Sequence, residues 1–227
     1  MPLNPGERTL WKKAVLLVDD HPLTRRGLAA LIDGEHDLVV CGEAATRGDA
    51  LRAVTQRPPD IVIVDLVLEG GEDGLDLIKA LKIQHPTIPS LVLSMHPEAV
   101  YAERALRAGA HGYLNKQQLD ETVLAAMRRV LDGRIYVSEA LGMTLAAHLV
   151  GGAKSSLTPL EALSDRELQV FRLIGEGRRA REIAQILHLS PKTIESYREH
   201  LKQKLGPHTA TELLRRAARF VETGEIW

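Results

Sequence analysis

The chain has 227 residues, of which 44% are hydrophobic, enough to bury the core of one large or two small domains. No window of about 18 apolar residues occurs, which argues against a membrane-spanning helix, and residues 1–12 lack the apolar segment of a signal peptide. We therefore expect a cytoplasmic protein that does not enter the membrane. The single cysteine, Cys41, cannot form an internal disulfide bond, and its apolar neighbours predict a small buried core residue.

The net charge of −1 conceals an uneven distribution along the chain. Residues 1–159 contain 17 Lys and Arg against 20 Asp and Glu, whereas residues 160–227 contain 12 against 10. An excess of positive charge at one end is a weak indication of nucleic-acid binding there. The nine histidines show neither paired metal-ligand spacing nor cysteine partners, so the sequence does not predict a zinc site.

Short apolar runs alternate with helical patterns through the first 135 residues. Continuous apolar runs, rather than alternating ones, are typical of parallel strands that are covered on both faces. Five such βα units predict an α/β domain with a doubly wound, five-stranded parallel sheet of the flavodoxin-like kind. The predicted strands are 15–18, 38–41, 61–64, 91–93 and 112–114, and the predicted helices are about 22–33, 46–57, 74–85, 98–108 and 118–132.

From residue 138 onward the pattern is helical or loop, and the stretch 151–156 predicts a flexible linker. Two capping boxes follow six residues apart, at Thr158 and Ser164, and the apolar stripe after Ser164 favours that residue as the helix start. A third box at Thr209 predicts the start of the last helix. The resulting division is an N-terminal tail at 1–12, an α/β domain at 13–135, a linker with a short helix at 136–160 and an all-helical domain at 161–227.

Carboxylates gather at one edge of the predicted sheet. The carboxyl ends of parallel strands meet at the same edge, where the first strand ends in Asp19 and Asp20 and the third in Asp65. A divalent cation such as Mg²⁺, which prefers oxygen ligands, would relieve the repulsion among three carboxylates. Asp65, at the centre, is then placed to act as a nucleophile toward a phosphoryl donor, with Ser94 and Lys116 beside the product.

Each of these residues also has a purely structural interpretation. Asp20 could cap the first helix, Asp65 could cap a turn, and Ser94 and Lys116 taken singly are ordinary surface residues. Their combination at the ends of four strands is what indicates a functional site.

Residues 13–135 resemble the receiver domain of two-component response regulators. The resemblance extends over the whole domain and is carried by the motifs "LLVDDHP", "PDIVIVDL", "LVLSMH" and "AGAHGYLNK". The loop "LVLEGGEDG" departs from the family pattern because it lacks a common proline and runs one residue longer. The resemblance implies these roles: Asp65 as phosphoacceptor; Asp20, Asp65 and the backbone carbonyl of Val67 as direct Mg²⁺ ligands; Asp19 as a ligand through water; Ser94 and Tyr113 as switch residues; and Lys116 as the contact to the phosphoryl group.

A helix-turn-helix pattern lies in the more basic C-terminal part. Residues 180–187 predict one helix, and Ser190 followed by Pro191 predicts the cap and first turn of a second. Two helices joined by so short a turn form the unit that docks in the major groove of DNA. The second helix has an apolar face of Ile194, Tyr197, Leu201 and Leu205, and an opposite face of Lys192, Glu195, Ser196, Glu199, Lys202 and Gln203.

A solvated amphipathic helix in a four-helix module is the alternative interpretation of this second helix. Glu195 and Glu199 make its exposed face less basic than simple DNA binding would require, although a glutamate can accept a hydrogen bond from cytosine in the major groove.

Residues 163–227 resemble the LuxR-type DNA-binding domain of NarL/FixJ-type response regulators, through "LSDRELQV", "REIAQILHLSPKTIESYREHLKQKLG" and the final helix. Two departures from the family pattern are Tyr197 in place of a usual histidine and Ala210 in place of a frequent arginine. Such domains pair on DNA through the last helix, here 210–222, so the resemblance implies a homodimer on double-stranded DNA. It also implies base contacts from Glu195, Ser196 and Glu199, and phosphate contacts from Lys192, Thr193, Arg198 and Lys202.

We therefore expect a DNA-binding response regulator, a transcription factor controlled by phosphorylation of Asp65 by a partner sensor histidine kinase. Phosphorylation adds about −1.5 to −2 charge at one edge of the sheet. We expect that charge to draw Ser94 inward, with Tyr113 following, and to change the domain arrangement or dimerisation.

Two other functions are alternatives to this one. An atypical regulator that binds DNA independently of phosphorylation is disfavoured by the complete set of acidic residues. An enzyme that turns over an aspartyl phosphate is not expected, because the second acid of haloacid-dehalogenase-type phosphatases would fall at Val67. The chain also has no G-x-x-x-x-G-K-[ST] loop for ATP.

Overall fold

The computed structural model describes residues 12–118, 121–150 and 158–226. Residues 1–11 of the predicted tail and the predicted flexible linker at 151–156 lie outside the described residues. The strands are β1 (Lys13–Val18), β2 (Leu38–Ala44), β3 (Ile61–Val64), β4 (Ser90–Ser94) and β5 (Gly112–Asn115). The helices are α1 (Pro22–Asp33), α2 (Arg47–Gln56), α3 (Gly74–Gln84), α4 (Glu98–Ala108), α5 (Glu121–Leu131), α6 (Glu139–Val150), α7 (Asp165–Gly175), α8 (Ala180–Ile186), α9 (Pro191–Leu205) and α10 (Ala210–Thr223).

The five strands form one parallel sheet in the order β2-β1-β3-β4-β5. The chain therefore winds to one side of β1 and then to the other, so the strand order reverses between β1 and β3 and leaves a crevice at their carboxyl ends. The predicted doubly wound α/β fold, followed by an all-helical unit, is confirmed. No helix in the described part of the chain is both long and apolar enough to cross a membrane.

Alternate residues of the central strands pack into two separate layers of core. Val15 and Leu17 of β1 point toward α1 and α5, whereas Leu16 and Val18 point toward the layer that contains α2, α3 and α4. The second layer is continuous with the core of the helical unit, including Phe171. The two halves of the chain therefore share one hydrophobic cluster on the α3–α4 side of the sheet.

The edge strand β2 differs from its prediction. Only its first and last residues are buried, and Cys41 is half-buried and packs at the margin of the core. Cys41 was predicted to be a small buried core residue; it contacts the core but is only half-buried, because β2 has a neighbouring strand on one side only.

The helical unit begins at the capping box that the sequence favours. The backbone N–H of Glu167 donates to Ser164 Oγ (3.2 Å), and that of Ser164 donates to Glu167 Oε2 (2.7 Å), at the start of α7. Thr158 and Glu161 exchange similar hydrogen bonds, but they close a turn rather than open a helix. Thr209 caps α10 by accepting from a backbone N–H in its first turn.

The helices α8 and α9 form the predicted helix-turn-helix. Helix α8 ends at Ile186, one residue earlier than predicted, and His188 has a positive φ of 52° in the turn. Ser190 then caps α9, in which Ile194 is buried as predicted. Tyr197 is only half-buried, because its ring packs at the edge of the core and is not enclosed by it.

Two glycine substitutions, one at the close contact of α7 with α10 and one on an open face of α1, should have opposite effects on the free energy of unfolding. A Cβ at Gly175 would lie 2.2 Å from the backbone oxygen of Ala217, so we expect Gly175→Ala to lower the free energy of unfolding by about 2 kcal/mol. A Cβ at Gly27 in α1 would meet nothing within 4 Å, so Gly27→Ala should raise it by about 0.5–1 kcal/mol. Urea denaturation measures both, and equal shifts in the same direction would contradict this description of the α7–α10 contact.

Candidate functional site

The three predicted carboxylates do converge at the carboxyl edge of the sheet. Asp19 follows β1 and Asp65 follows the adjacent strand β3, and the backbone N–H of Asp65 donates to Val18 O (2.8 Å). Ligand atoms of Asp19, Asp20 and Asp65, together with one from His21, all lie within 4.8 Å of one another. The sequence reasoning missed His21, although its position directly after the two aspartates was a visible signal.

The ammonium group of Lys116 joins two of these carboxylates. Its Nζ lies 2.6 Å from Asp19 Oδ2 and 2.6 Å from Asp65 Oδ2, and all three side chains are almost completely buried. Backbone N–H groups occupy the other two oxygens, from Leu66 to Asp65 Oδ1 (2.6 Å) and from His21 to Asp19 Oδ1 (2.8 Å). Asp65 is thus fixed at both of its carboxylate oxygens.

Burial and charge act in opposite directions on this group of side chains. Burial raises the pKa of Asp65 above its usual value, more than the neighbouring Lys116 lowers it. Burial alone would lower the pKa of Lys116, but the carboxylates of Asp65 and Asp19 outweigh it and the pKa is raised. The cluster contains three carboxylates and one ammonium group, an excess of negative charge that a further cation would offset.

The donors present suit a hard divalent cation. Asp20 Oδ1 is buried and takes part in no hydrogen bond, although it lies 2.6 Å from His21 Nδ1. This carboxylate oxygen makes no hydrogen bond and lies beside two further carboxylates. Together the three carboxylates supply the oxygen ligands that Mg²⁺ prefers. Val67, whose carbonyl is a predicted ligand, lies in the loop after Asp65 and forms an isolated β-bridge with Asp73.

The two predicted switch residues lie in the strands that end beside this cluster. Ser94 ends β4 and is fully buried, and its Oγ accepts from the backbone N–H of His96 (3.2 Å). Tyr113 is also completely buried, and its hydroxyl donates to His96 O (2.8 Å). In this structure the phenol already lies inside and is held by that hydrogen bond, and a movement of Ser94 and Tyr113 on phosphorylation stays a prediction.

The predicted DNA-contacting residues of α9 share one accessible face. Two of the predicted phosphate contacts form ion pairs with predicted base contacts one turn away, Arg198 with Glu195 (3.3 Å) and Lys202 with Glu199 (2.7 Å). Exposed pairs of this kind are worth at most about 1 kcal/mol, so they open readily. Lys192, Glu195, Ser196 and Glu199 are exposed, and Thr193, Arg198 and Lys202 are half-exposed.

The two halves of the chain are joined by a contact that was not predicted from the sequence. Asp165, in the first turn of α7, accepts from Lys79 Nζ (2.8 Å) and from Arg104 (3.1 Å), which belong to α3 and α4. Beside this ion pair the rings of Tyr101 and Phe220 stack with centroids 6.4 Å apart. These residues are far apart in the sequence and carry no local pattern, so nothing in the sequence signalled their contact.

Comparisons with known proteins agree with this architecture. The family profile described as "Response regulator receiver domain" matches residues 15–128, and that described as "Bacterial regulatory proteins, luxR family" matches residues 161–217. "Oxygen regulatory protein NreC" of Staphylococcus carnosus is 32% identical over 209 residues, covering 90% of this chain and 96% of that protein. "Response regulator UvrY" of Escherichia coli is 33% identical over 205 residues, covering 90% and 93%.

Solved structures of RcsB are similar over nearly the whole chain. RcsB of Salmonella typhimurium superposes with a TM-score of 0.72 at 26% identity, covering 92% of this chain and 98% of that one. RcsB of Salmonella enterica serovar Typhimurium, bound to the promoter rprA with the phosphomimetic BeF3−, gives a TM-score of 0.68 at 26% identity, covering 90% and 97%. From the two profiles, these relatives and the observed fold, the chain belongs to the response-regulator family, with a receiver domain followed by a LuxR-type DNA-binding domain.

Proposed function

We propose that this protein is a transcription factor whose DNA binding is controlled by phosphorylation of Asp65 by a partner sensor histidine kinase. The observation that carries the proposal is the buried group of Asp19, Asp65 and Lys116, with Asp20 and Ser94 at the same edge of the sheet. The RcsB complex supports the proposal, because a protein of the same fold is bound there to promoter DNA in the presence of a phosphomimetic.

The side chains of the site have separate parts in phosphoryl transfer. A carboxylate oxygen of Asp65 forms the bond to phosphorus while the bond to the imidazole nitrogen of the kinase breaks, and that nitrogen keeps the electron pair. Asp20, Asp65 and the Val67 carbonyl would hold Mg²⁺ directly and Asp19 would hold it through water, and the ion would supply positive charge to offset the negative charge of the phosphoryl group. The hydrogen bonds from Leu66 and Lys116 hold the Asp65 carboxylate in one orientation before the reaction.

The product differs from the starting site in charge and in hydrogen bonding. Lys116 exchanges one of its carboxylate partners for a phosphoryl oxygen. The Ser94 hydroxyl donates a hydrogen bond to a second phosphoryl oxygen. Because Ser94 Oγ accepts from His96 and Tyr113 bonds the His96 carbonyl, movement of Ser94 alters the loop between β4 and α4. That loop lies at the contact with the helical domain, where a Cβ on Gly224 would meet the ring of Pro97 at 2.3 Å.

The DNA-binding half offers one surface for DNA and another for a second copy of the chain. The exposed face of α9 fits the major groove as a recognition helix, and its cations supply sequence-independent affinity by contacting phosphates. On α10, Leu214 and Val221 are large apolar side chains that remain 43% and 39% exposed. They lie two helical turns apart on one side of α10, which suits pairing of two domains as a homodimer.

Loss of the acceptor should abolish phosphorylation. We expect Asp65→Asn to incorporate no phosphoryl group from acetyl phosphate and Mg²⁺, because an amide nitrogen and oxygen cannot replace the nucleophilic carboxylate. Phosphate-affinity electrophoresis or intact mass measures incorporation. Asp132→Asn, at an exposed carboxylate after α5, is the control and should be labelled like the original protein. Equal labelling of the Asp65 variant would place the acceptor elsewhere.

Metal binding should depend on Asp20. We expect Asp20→Ala to weaken Mg²⁺ binding by about tenfold or more, measured by isothermal titration calorimetry, because it removes a direct oxygen ligand. Glu35→Ala is a suitable control. Glu35 belongs to a second acidic cluster, but Arg128 already pairs with it (2.5 Å) and with Asp37 (2.7 Å). An unchanged affinity in the Asp20 variant would contradict the proposed ligand set.

Phosphate contacts and base contacts on α9 should be separable by their salt dependence. We expect Lys192→Ala to weaken binding to all duplexes and to reduce the slope of log K against log salt by about 0.9. Glu195→Ala should instead change the preference among duplex sequences while leaving that slope nearly unchanged. Fluorescence anisotropy over a salt series tests both, and identical behaviour of the two variants would contradict the assigned roles.

A further inference from the structure

One of the proposed metal ligands, Asp20, has no hydrogen bond that fixes the direction of its carboxylate. Asp19, by contrast, is held at both carboxylate oxygens, by Lys116 Nζ (2.6 Å) and by the backbone N–H of His21 (2.8 Å). Asp20 Oδ1 is buried and accepts no hydrogen bond within the described residues. The nearby imidazole of His21 is 67% exposed, so it does not hold this carboxylate in place. The direction of the Asp20 side chain therefore depends on the backbone that carries it.

The sheet holds the backbone as far as the N–H of Asp19. That N–H donates to Ala44 O (3.1 Å) and so extends the pairing of β1 with β2 by one residue. The carbonyl of Asp19 belongs to the peptide bond that precedes Asp20, and it accepts from a side chain instead of a strand: Arg25 Nη1 lies 2.5 Å away. The plane of this peptide bond is therefore set by Arg25.

A second hydrogen bond fixes Arg25 itself. Its Nε donates to Glu43 Oε2 (2.9 Å), and its side chain is only 17% exposed. Glu43 belongs to β2, where it lies in register with Leu17 of β1, so the anchor is part of the sheet. Two N–H groups of one planar guanidinium thus connect a strand to the backbone of the proposed metal site.

The charge of Arg25 is unfavourable where it lies. Arg25 is the fourth residue of α1, whose first turn contains no acidic residue. The positive end of the helix dipole disfavours a cation there, and a cation near the acidic cluster also repels Mg²⁺. Its two hydrogen bonds oppose these costs, which indicates that Arg25 contributes geometry to the site and not charge.

We infer that Arg25 is a positioning residue for the metal site: anchored on Glu43, its guanidinium fixes the peptide bond before Asp20 and so directs the carboxylate of that residue toward the cation. This inference rests on the proposed function, because it concerns the Mg²⁺ ligands proposed there. Groups that orient the ligands of a metal affect its affinity strongly without touching the ion. The Asp65 carboxylate is held by other groups, so loss of Arg25 should weaken cation binding without moving the nucleophile.

Two neighbouring arginines give a matched test in the full-length chain, because geometry and charge predict opposite results. Arg25→Ala should weaken Mg²⁺ binding about tenfold, measured by isothermal titration calorimetry, whereas simple loss of a repelling charge would tighten it. Arg26→Ala is the control and should not weaken binding, since Arg26 is exposed and its side chain makes no hydrogen bond or ion pair in the described part of the chain. Unchanged or tighter binding by Arg25→Ala, or equal weakening in both variants, would overturn the inference.

Phosphorylation kinetics separate positioning of the metal from a general loss of structure. With acetyl phosphate as donor, Arg25→Ala should need about tenfold more Mg²⁺ for half-maximal labelling and should reach the same maximal rate. A lower maximal rate with an unchanged dependence on Mg²⁺ would show a disturbed acceptor and would contradict the proposed role.

Glu43, which is exposed, supplies a second pair of variants that does not disturb the core. Glu43→Gln and Glu43→Ala remove the same charge, but the glutamine oxygen can still accept from Arg25 Nε. We therefore expect Glu43→Gln to bind Mg²⁺ about threefold more tightly than Glu43→Ala, and equal affinities would contradict the anchoring of Arg25. If the original protein binds no Mg²⁺, the proposed function itself fails; if it binds Mg²⁺ and Arg25→Ala binds equally well, only this inference fails.

Discussion

The structure depends on one buried ammonium group, that of Lys116, held 2.6 Å from both Asp19 and Asp65. Two carboxylates can be buried side by side only with such a partner, because an unpaired buried charge is costly. The parallel sheet supplies this arrangement: β1, β3 and β5 end at the same edge, and each places one of the three side chains there. Three carboxylates against one ammonium group leave an excess of negative charge at this edge, and the proposed affinity for a cation follows from it.

The parts that could be predicted from the sequence are those fixed by local pattern. Continuous apolar runs predicted the parallel strands, and strand ends predicted the meeting of Asp19 and Asp65, because topology alone determines which ends are neighbours. The Ser164 capping box marked the true start of α7 since its hydrogen bonds are between residues three apart. The position of β2 at the edge of the sheet could not be predicted from the sequence, so the predicted burial of Cys41 was too high.

Features that depend on packing between distant residues escaped prediction. The hydrogen bond of the Tyr113 hydroxyl is made to the loop carbonyl of His96, and no local pattern reports the conformation of that loop. The contact of Asp165 with α3 and α4 and the seat of Ile186 on Gly71 join segments about 60 to 115 residues apart. Together with the shared hydrophobic cluster, these contacts connect the receiver domain to the helical domain.

We propose that phosphorylation of Asp65 controls DNA binding by α9. The first measurement is the affinity for genomic DNA fragments, with and without acetyl phosphate at constant Mg²⁺ and salt, for the original protein and for Asp65→Ala. We expect the phosphodonor to raise the DNA affinity of the original protein and to have no effect on that of the variant. If both proteins bind alike in both conditions, the acidic site does not control DNA binding, and a regulator that acts independently of phosphorylation is the better description.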